Sequence, residues 1–115
     1  MSAAFDLDGT LAALAEPTRR RVVDLLRERP RRAGELAAAQ GLSAAAMSRH
    51  LRVLRLGGLI EEERGAQDSR LRIFRLRREP FADLRVWLDE LEAFWSQELG
   101  AFKAHAERGR KGRRP

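Results

Sequence analysis

The stretch that decides the fold is Gly34-Glu-Leu-Ala-Ala-Ala-Gln-Gly-Leu-Ser-Ala-Ala-Ala-Met-Ser-Arg-His-Leu-Arg-Val-Leu-Arg-Leu-Gly-Gly-Leu-Ile60. Gly41 stops a helix over about 33–40, in the way a residue free to turn left-handed does, and Leu36 faces inward from that helix. Ser43 then caps a second helix over 44–56, whose Met47, Leu51 and Leu54 stack at spacings of four and three. Gly57-Gly58 closes it. Two helices joined by a glycine turn, the second one serine-capped, have the order of a helix-turn-helix.

Working outward, Pro17 opens a helix that runs to about Arg29, with Val22, Val23, Leu25 and Leu26 at helical spacing, and Pro30 ends it. Before it, 8–15 reads as a short helix capped by Asp8, with Leu11, Ala12, Leu14 and Ala15 as its apolar stripe. After the helix over 44–56 come two strands, 59–64 and 70–76, joined by the polar segment 65–69, which suits a flexible wing. In the second strand Leu71 and Ile73 share one parity and Phe74 and Leu76 the other, which predicts a bulge or register change near Ile73. The longest helix follows over 81–105, carrying Leu84, Trp87, Leu88, Leu91, Phe94, Trp95, Leu99 and Phe102. That stripe is wider than one core needs, so part of it is expected to face a partner chain. The expected architecture is mainly α: a winged helix-turn-helix with a two-stranded β wing and a long C-terminal dimerisation helix. Residues 1–106 form one domain for DNA binding and dimerisation, and 107–115 a basic tail without an apolar anchor, expected to be disordered.

Composition points the same way. The chain has 115 residues, enough for one core, and a net charge of +6 carried mainly by arginine, whose flat multi-donor group suits phosphate and guanine edges. It contains no cysteine, which removes disulfides and thiolate metal sites. No apolar run reaches the ~20 residues that cross a bilayer, and 1–10 has no signal-peptide pattern. The expected setting is the cytoplasm, with no membrane partner.

On the helix over 44–56, the face opposite Met47, Leu51 and Leu54 carries Ala45, Ser48, Arg49 and Arg52, flanked by His50 and Arg55. With Ser43 and Ala44 at its start, that surface is small first and basic after, suited to the major groove of double-stranded DNA. In the wing, Glu61-Glu62-Glu63 is expected to repel phosphate, which leaves Arg64 and Arg70 at the tip for contact. His50 can serve DNA or bond to backbone at the core edge, and a DNA-proximal role is favoured.

The segments PTRRRVVDLL at 17–26, 34–60 as quoted, and RIFRL at 72–76 resemble the ArsR family of bacterial and archaeal repressors. The resemblance implies a homodimer built from the first and last helices, here through Leu11, Leu14, Leu88, Leu91, Phe94, Trp95 and Phe102. It further implies a recognition helix at about 44–56 and release of DNA by a signal. The family's metal-sensing cysteines fall where this chain has Ala37-Ala38-Ala39, and its other metal site needs paired acidic and histidine ligands where only His105 stands. No metal site, cofactor or catalytic residue is therefore expected. The operator, the regulated genes and any effector are not legible.

The function expected is a sequence-specific transcriptional regulator, a repressor that binds an inverted-repeat operator as a homodimer. The first alternative is a non-specific architectural DNA-binding protein. The remote third is a phosphatase of the haloacid-dehalogenase type, because Phe5-Asp6-Leu7-Asp8-Gly9-Thr10 matches that nucleophile motif. It lacks the preceding apolar strand and the parallel sheet which that chemistry needs.

Overall fold

The structure is a computed structural model that describes residues 5–112, with side chains as far as 109. Helix α1 spans Leu7–Leu14. Its cap is Asp6, not Asp8 as the sequence suggested: the Asp6 carboxylate accepts the Gly9 N–H at 2.9 Å. The buried side of α1 is Thr10 and Ala13, whereas Leu11 is 42% exposed. The apolar stripe read from sequence is therefore turned outward at Leu11. A two-turn helix packed by its small residues lies close enough to its neighbour for side chains there to reach its last carbonyls.

Those side chains come from α2, Pro17–Glu28. Proline opens the helix and the Glu16 carboxylate accepts the Arg19 N–H at 3.0 Å. Arg19 Nε donates to the Ala13 carbonyl at 2.7 Å and Arg20 Nη1 to that of Leu14 at 2.8 Å, so the C-terminal carbonyls of α1 are satisfied by α2. Val22, Leu25 and Leu26 fall on one face of α2 and are buried.

Strand β1, Arg31–Arg32, was not expected; two residues after a proline leave no periodic signal. It pairs with β3 and makes the wing sheet three-stranded rather than two-stranded. Helix α3, Ala33–Ala39, ends at a turn where Gly41 has φ +64°, a conformation that a Cβ disfavours, and the Leu42 N–H returns to the Ala37 carbonyl at 3.0 Å. Helix α4, Ala44–Leu56, has the bounds its sequence announces; Ser43 Oγ accepts the Ala46 N–H at 3.1 Å, and Met47, Leu51 and Leu54 are buried.

Strands β2, Ile60–Arg64, and β3, Arg72–Leu76, are antiparallel, and the sheet order is β1-β3-β2. The ladder runs without interruption from Ile60↔Leu76 to Arg64↔Arg72, so the expected bulge near Ile73 is absent. Parity is preserved because Arg72, Phe74 and Leu76 share the core-side face, while β1 lies beside Ile73 and Phe74 on the other edge. Phe74 is 1% exposed and joins Leu36, Leu51, Leu54, Leu59 and Ile60 in one core.

Helix α5 spans Glu79–Gly112, with Pro80 in its first turn. It continues beyond residue 106, where the sequence reading began a tail; the good helix formers Ala104, Ala106, Glu107 and Arg108 carry it on. Residues 113–115 lie outside the described range. Contacts divide the chain after Ala82 into two compact units, the second consisting of α5 from Asp83 onward. Within that second unit, Leu88, Leu91, Phe94, Trp95 and Phe102 are all at least two-fifths exposed, and the Phe94 and Trp95 rings meet edge-on with centroids 5.9 Å apart.

Candidate nucleic-acid interface

The outward face of α4 begins with groups that have little bulk. Ser43, Ala44 and Ala45 are exposed, and the Ser43 hydroxyl oxygen is engaged as the cap. Arg49 and Arg52 follow one turn later, both exposed, and neither forms an ion pair or side-chain hydrogen bond among the described residues. Their guanidinium groups are thus available to an outside partner. Two aligned arginines without internal carboxylates on a helix that starts with methyl groups match what a major groove offers, base edges near the helix start and phosphate beyond.

Other residues singled out from sequence are engaged inside the protein. His50 is half-buried, its Nδ1 lying 3.4 Å from Arg19 Nη1 and 3.8 Å from Glu16 Oε2, which ties the middle of α4 to the start of α2. At the wing tip, Arg70 donates from Nε and Nη2 to the two Asp68 carboxylate oxygens, at 3.1 and 3.2 Å. Arg64 reaches the Ser69 carbonyl at 3.5 Å. Arg55, in the last turn of α4, pairs with Glu62 at 3.1 Å. Leu11 and Leu14 belong to the first unit, Leu11 exposed and Leu14 half-buried.

The acidic run of the wing is not the uniform barrier its sequence suggested. Glu62 accepts from Arg72 Nε at 2.8 Å as well as from Arg55, and Glu63 accepts from Arg75 at 2.6 Å, which leaves Glu61 exposed without such a partner among the described residues. Arg72 was missed by sequence reasoning. Its guanidinium carbon sits 5.3 Å from the Phe74 ring centroid, and its Nη1 is 3.5 Å from Ser48 Oγ. The signal was present: Arg72 has the parity of Phe74, and in an antiparallel ladder Glu62, opposite Phe74, lies diagonal to it.

The Glu62 side chain is only 12% exposed. The hydrogen bond from Arg72 holds its carboxyl below the ordinary carboxylate range, against the opposing effect of desolvation; the charges of Arg72, Arg64 and Arg55 act in the same direction. A carboxylate with a depressed folded-state pKa adds stability above its unfolded value and loses it as pH falls through the folded one. Acid melts of the wild type should therefore lose stability below the normal glutamate range. A Glu62→Gln chain should lose less over the same interval, and identical acid limbs would remove Glu62 from the account.

The phosphatase motif is used otherwise. Asp6 caps α1 and Asp8 lies in its first turn, and the one sheet among the described residues is antiparallel, so neither aspartate stands at the end of a parallel strand. No helix of the described residues is long and apolar enough to cross a membrane.

Comparison with known proteins agrees with this geometry. The model of a helix-turn-helix domain family matches residues 14–63, from the end of α1 to the wing. The chain is similar to the HTH-type transcriptional regulator Rv2034 of Mycobacterium tuberculosis, 33% identical over 96 residues that make up 83% of each protein. Among solved structures it is similar to an ArsR family transcriptional regulator, at 31% identity and TM-score 0.71, covering 78% of this chain and 90% of that one. An ArsR-like transcriptional regulator from Rhodococcus sp. RHA1 superposes with TM-score 0.76 at 27% identity, covering 89% and 91%. With the helix-turn-helix, the wing and the long last helix all in place, the chain belongs to the ArsR family of winged helix-turn-helix transcriptional regulators.

Proposed function

We propose that the protein is a cytoplasmic homodimer that binds an inverted-repeat operator through α4 and represses transcription by occupying promoter DNA. The observation that carries this reading is the outward face of α4, where Ala44 and Ala45 leave room for close approach and Arg49 and Arg52 have no carboxylate partner among the described residues. Side chains that cannot hydrogen-bond contact only thymine methyls, so direct reading falls to Ser48 and Arg49. Arg52, one turn on, meets phosphate and sets position. Arg64 and Arg70 add wing contacts where their internal bonds are exposed enough to exchange for phosphate. His50, held by Arg19 and Glu16, positions α4 rather than touching DNA, and Arg55 is committed to Glu62. The dimer rests on the exposed apolar residues Leu88, Leu91, Phe94, Trp95 and Phe102 of α5, with the exposed Leu11 of α1, whereas Leu14 is half-buried against its own core.

The two arginines separate reading from holding. Arg49→Ala should cost about 1–3 kcal/mol and relax preference at one base pair per half-site. Arg52→Ala should weaken all duplexes alike and flatten the dependence on salt by about one phosphate contact per protomer. Anisotropy titrations across operator variants and several salt concentrations distinguish them. If Arg49→Ala weakens every duplex equally and leaves base preference intact, α4 does not read sequence through this face. If the wild type binds all duplexes alike, the protein is an architectural binder.

A further inference from the structure

The arginines around α4 fall into two classes. Arg49 and Arg52 are unpaired among the described residues, whereas Arg55 and Arg72 converge on the single carboxylate of Glu62. The three groups come from different elements: Arg55 from the last turn of α4, Glu62 from β2, and Arg72 from β3. Arg72 also reaches Ser48 on α4, so the cluster fastens two separate turns of the recognition helix to the wing. Its centre is the most enclosed part: the side chains are 12% exposed at Glu62, 38% at Arg72 and 48% at Arg55.

We propose that Glu62 is a positioning and specificity-determining residue of the DNA-binding surface, one that withholds the Arg55 and Arg72 charges from phosphate and locks α4 to the wing. The inference rests on the DNA-binding reading of α4. A free guanidinium on a long side chain finds a phosphate on any duplex in any register, and so raises affinity without regard to sequence. Held against Glu62 and stacked on Phe74, the Arg72 group does not search for phosphate, and Arg55 is drawn away from the groove wall. Selectivity is a difference between affinities, and it gains when sequence-blind contacts are removed while the reading residues Ser48 and Arg49 stay fixed. A carboxylate in the middle of a basic surface, which looks adverse to DNA binding, thereby serves discrimination.

The test uses the full chain, a random-sequence duplex of about 24 base pairs and a series of salt concentrations. Glu62→Gln should raise affinity for this duplex roughly tenfold at low salt. It should steepen the slope of log K against log salt by about one to two per protomer, each new phosphate contact adding about 0.9. Arg55→Gln alone should leave the wild-type slope unchanged, because that charge is already committed; in the Glu62→Gln background it should take back about one. An unchanged slope in Glu62→Gln overturns the inference and leaves the DNA reading standing. A flatter slope in Arg55→Gln alone also overturns it, and this arm keeps Glu62, so it decides the matter even if Glu62→Gln fails to fold. A wild type without measurable affinity for any duplex overturns the DNA reading and the inference together.

Discussion

A chain carrying Phe94→Glu is expected to sediment as a monomer and to lose operator affinity by roughly a thousandfold or more. In the second unit Leu91 is 40%, Phe94 53% and Trp95 56% exposed, and the Phe94 and Trp95 rings meet edge-on. In the proposed twofold dimer this apolar area is buried by the same patch on both chains, so one substitution places two carboxylates in one interface. Each would be desolvated without a partner, at a cost of several kcal/mol. The loss then passes to DNA. Two half-sites one helical turn apart are bound together only when their readers are joined, and a lone protomer forfeits the second binding event, which linkage makes effectively intramolecular. Sedimentation velocity and anisotropy on the same samples measure both effects. A wild type that is monomeric at micromolar concentration would refute the interface and the two-half-site operator together.

Phe74→Ala should cost about 3–5 kcal/mol, a large part of the roughly 5–15 kcal/mol that holds a domain folded. At about 4–8 °C per kcal/mol for a domain of this size, the melting temperature should fall by about 12 °C or more. The ring is 1% exposed on the central strand of the sheet, with Arg31 opposite it on one side and Glu62 on the other. Strands cannot close over the hole, because both neighbours are tied into the ladder. The ring also supports the Arg72 guanidinium, so its removal loosens the wing as well as the core. Thermal melts followed by far-ultraviolet dichroism give the result; a drop of less than about 5 °C would show that the surroundings collapse onto the site.

The elements with strong local punctuation were legible. Ser43, Gly41 and Gly57-Gly58 act within a turn of themselves, and the bounds of α4 follow from them. The buried residues of α2 and α4 likewise follow from spacing, since each helix has one core-facing side. What escaped was decided by tertiary contact. The orientation of α1 depends on which side lies against α2, and in two turns Leu11 and Ala13 compete without a periodic signal to separate them. Strand β1 exists because β3 has an open edge beside it. The expected bulge disappeared because Arg72 takes a core-side position by stacking on Phe74, where a count of apolar residues sees only a polar interruption. At the proposed DNA surface, the free arginines and the paired ones look alike in sequence. Only the positions of the carboxylates distinguish them, and those are set by strand register.

The bonds that Arg19 makes join parts of the molecule far apart in sequence. From one side chain it holds the Ala13 carbonyl at 2.7 Å and the Ala12 carbonyl at 3.2 Å, and lies 3.4 Å from His50 on α4. Mechanically it is a strut between the end of α1 and the middle of α4, bypassing the corner at Ala15-Glu16. The bond to the Ala13 carbonyl is short and the contact with His50 is long, so a displacement of α1 strains the first and loosens the second. The end of α1 is thereby connected to the middle of α4 by a chain of polar contacts that does not run through the hydrophobic core.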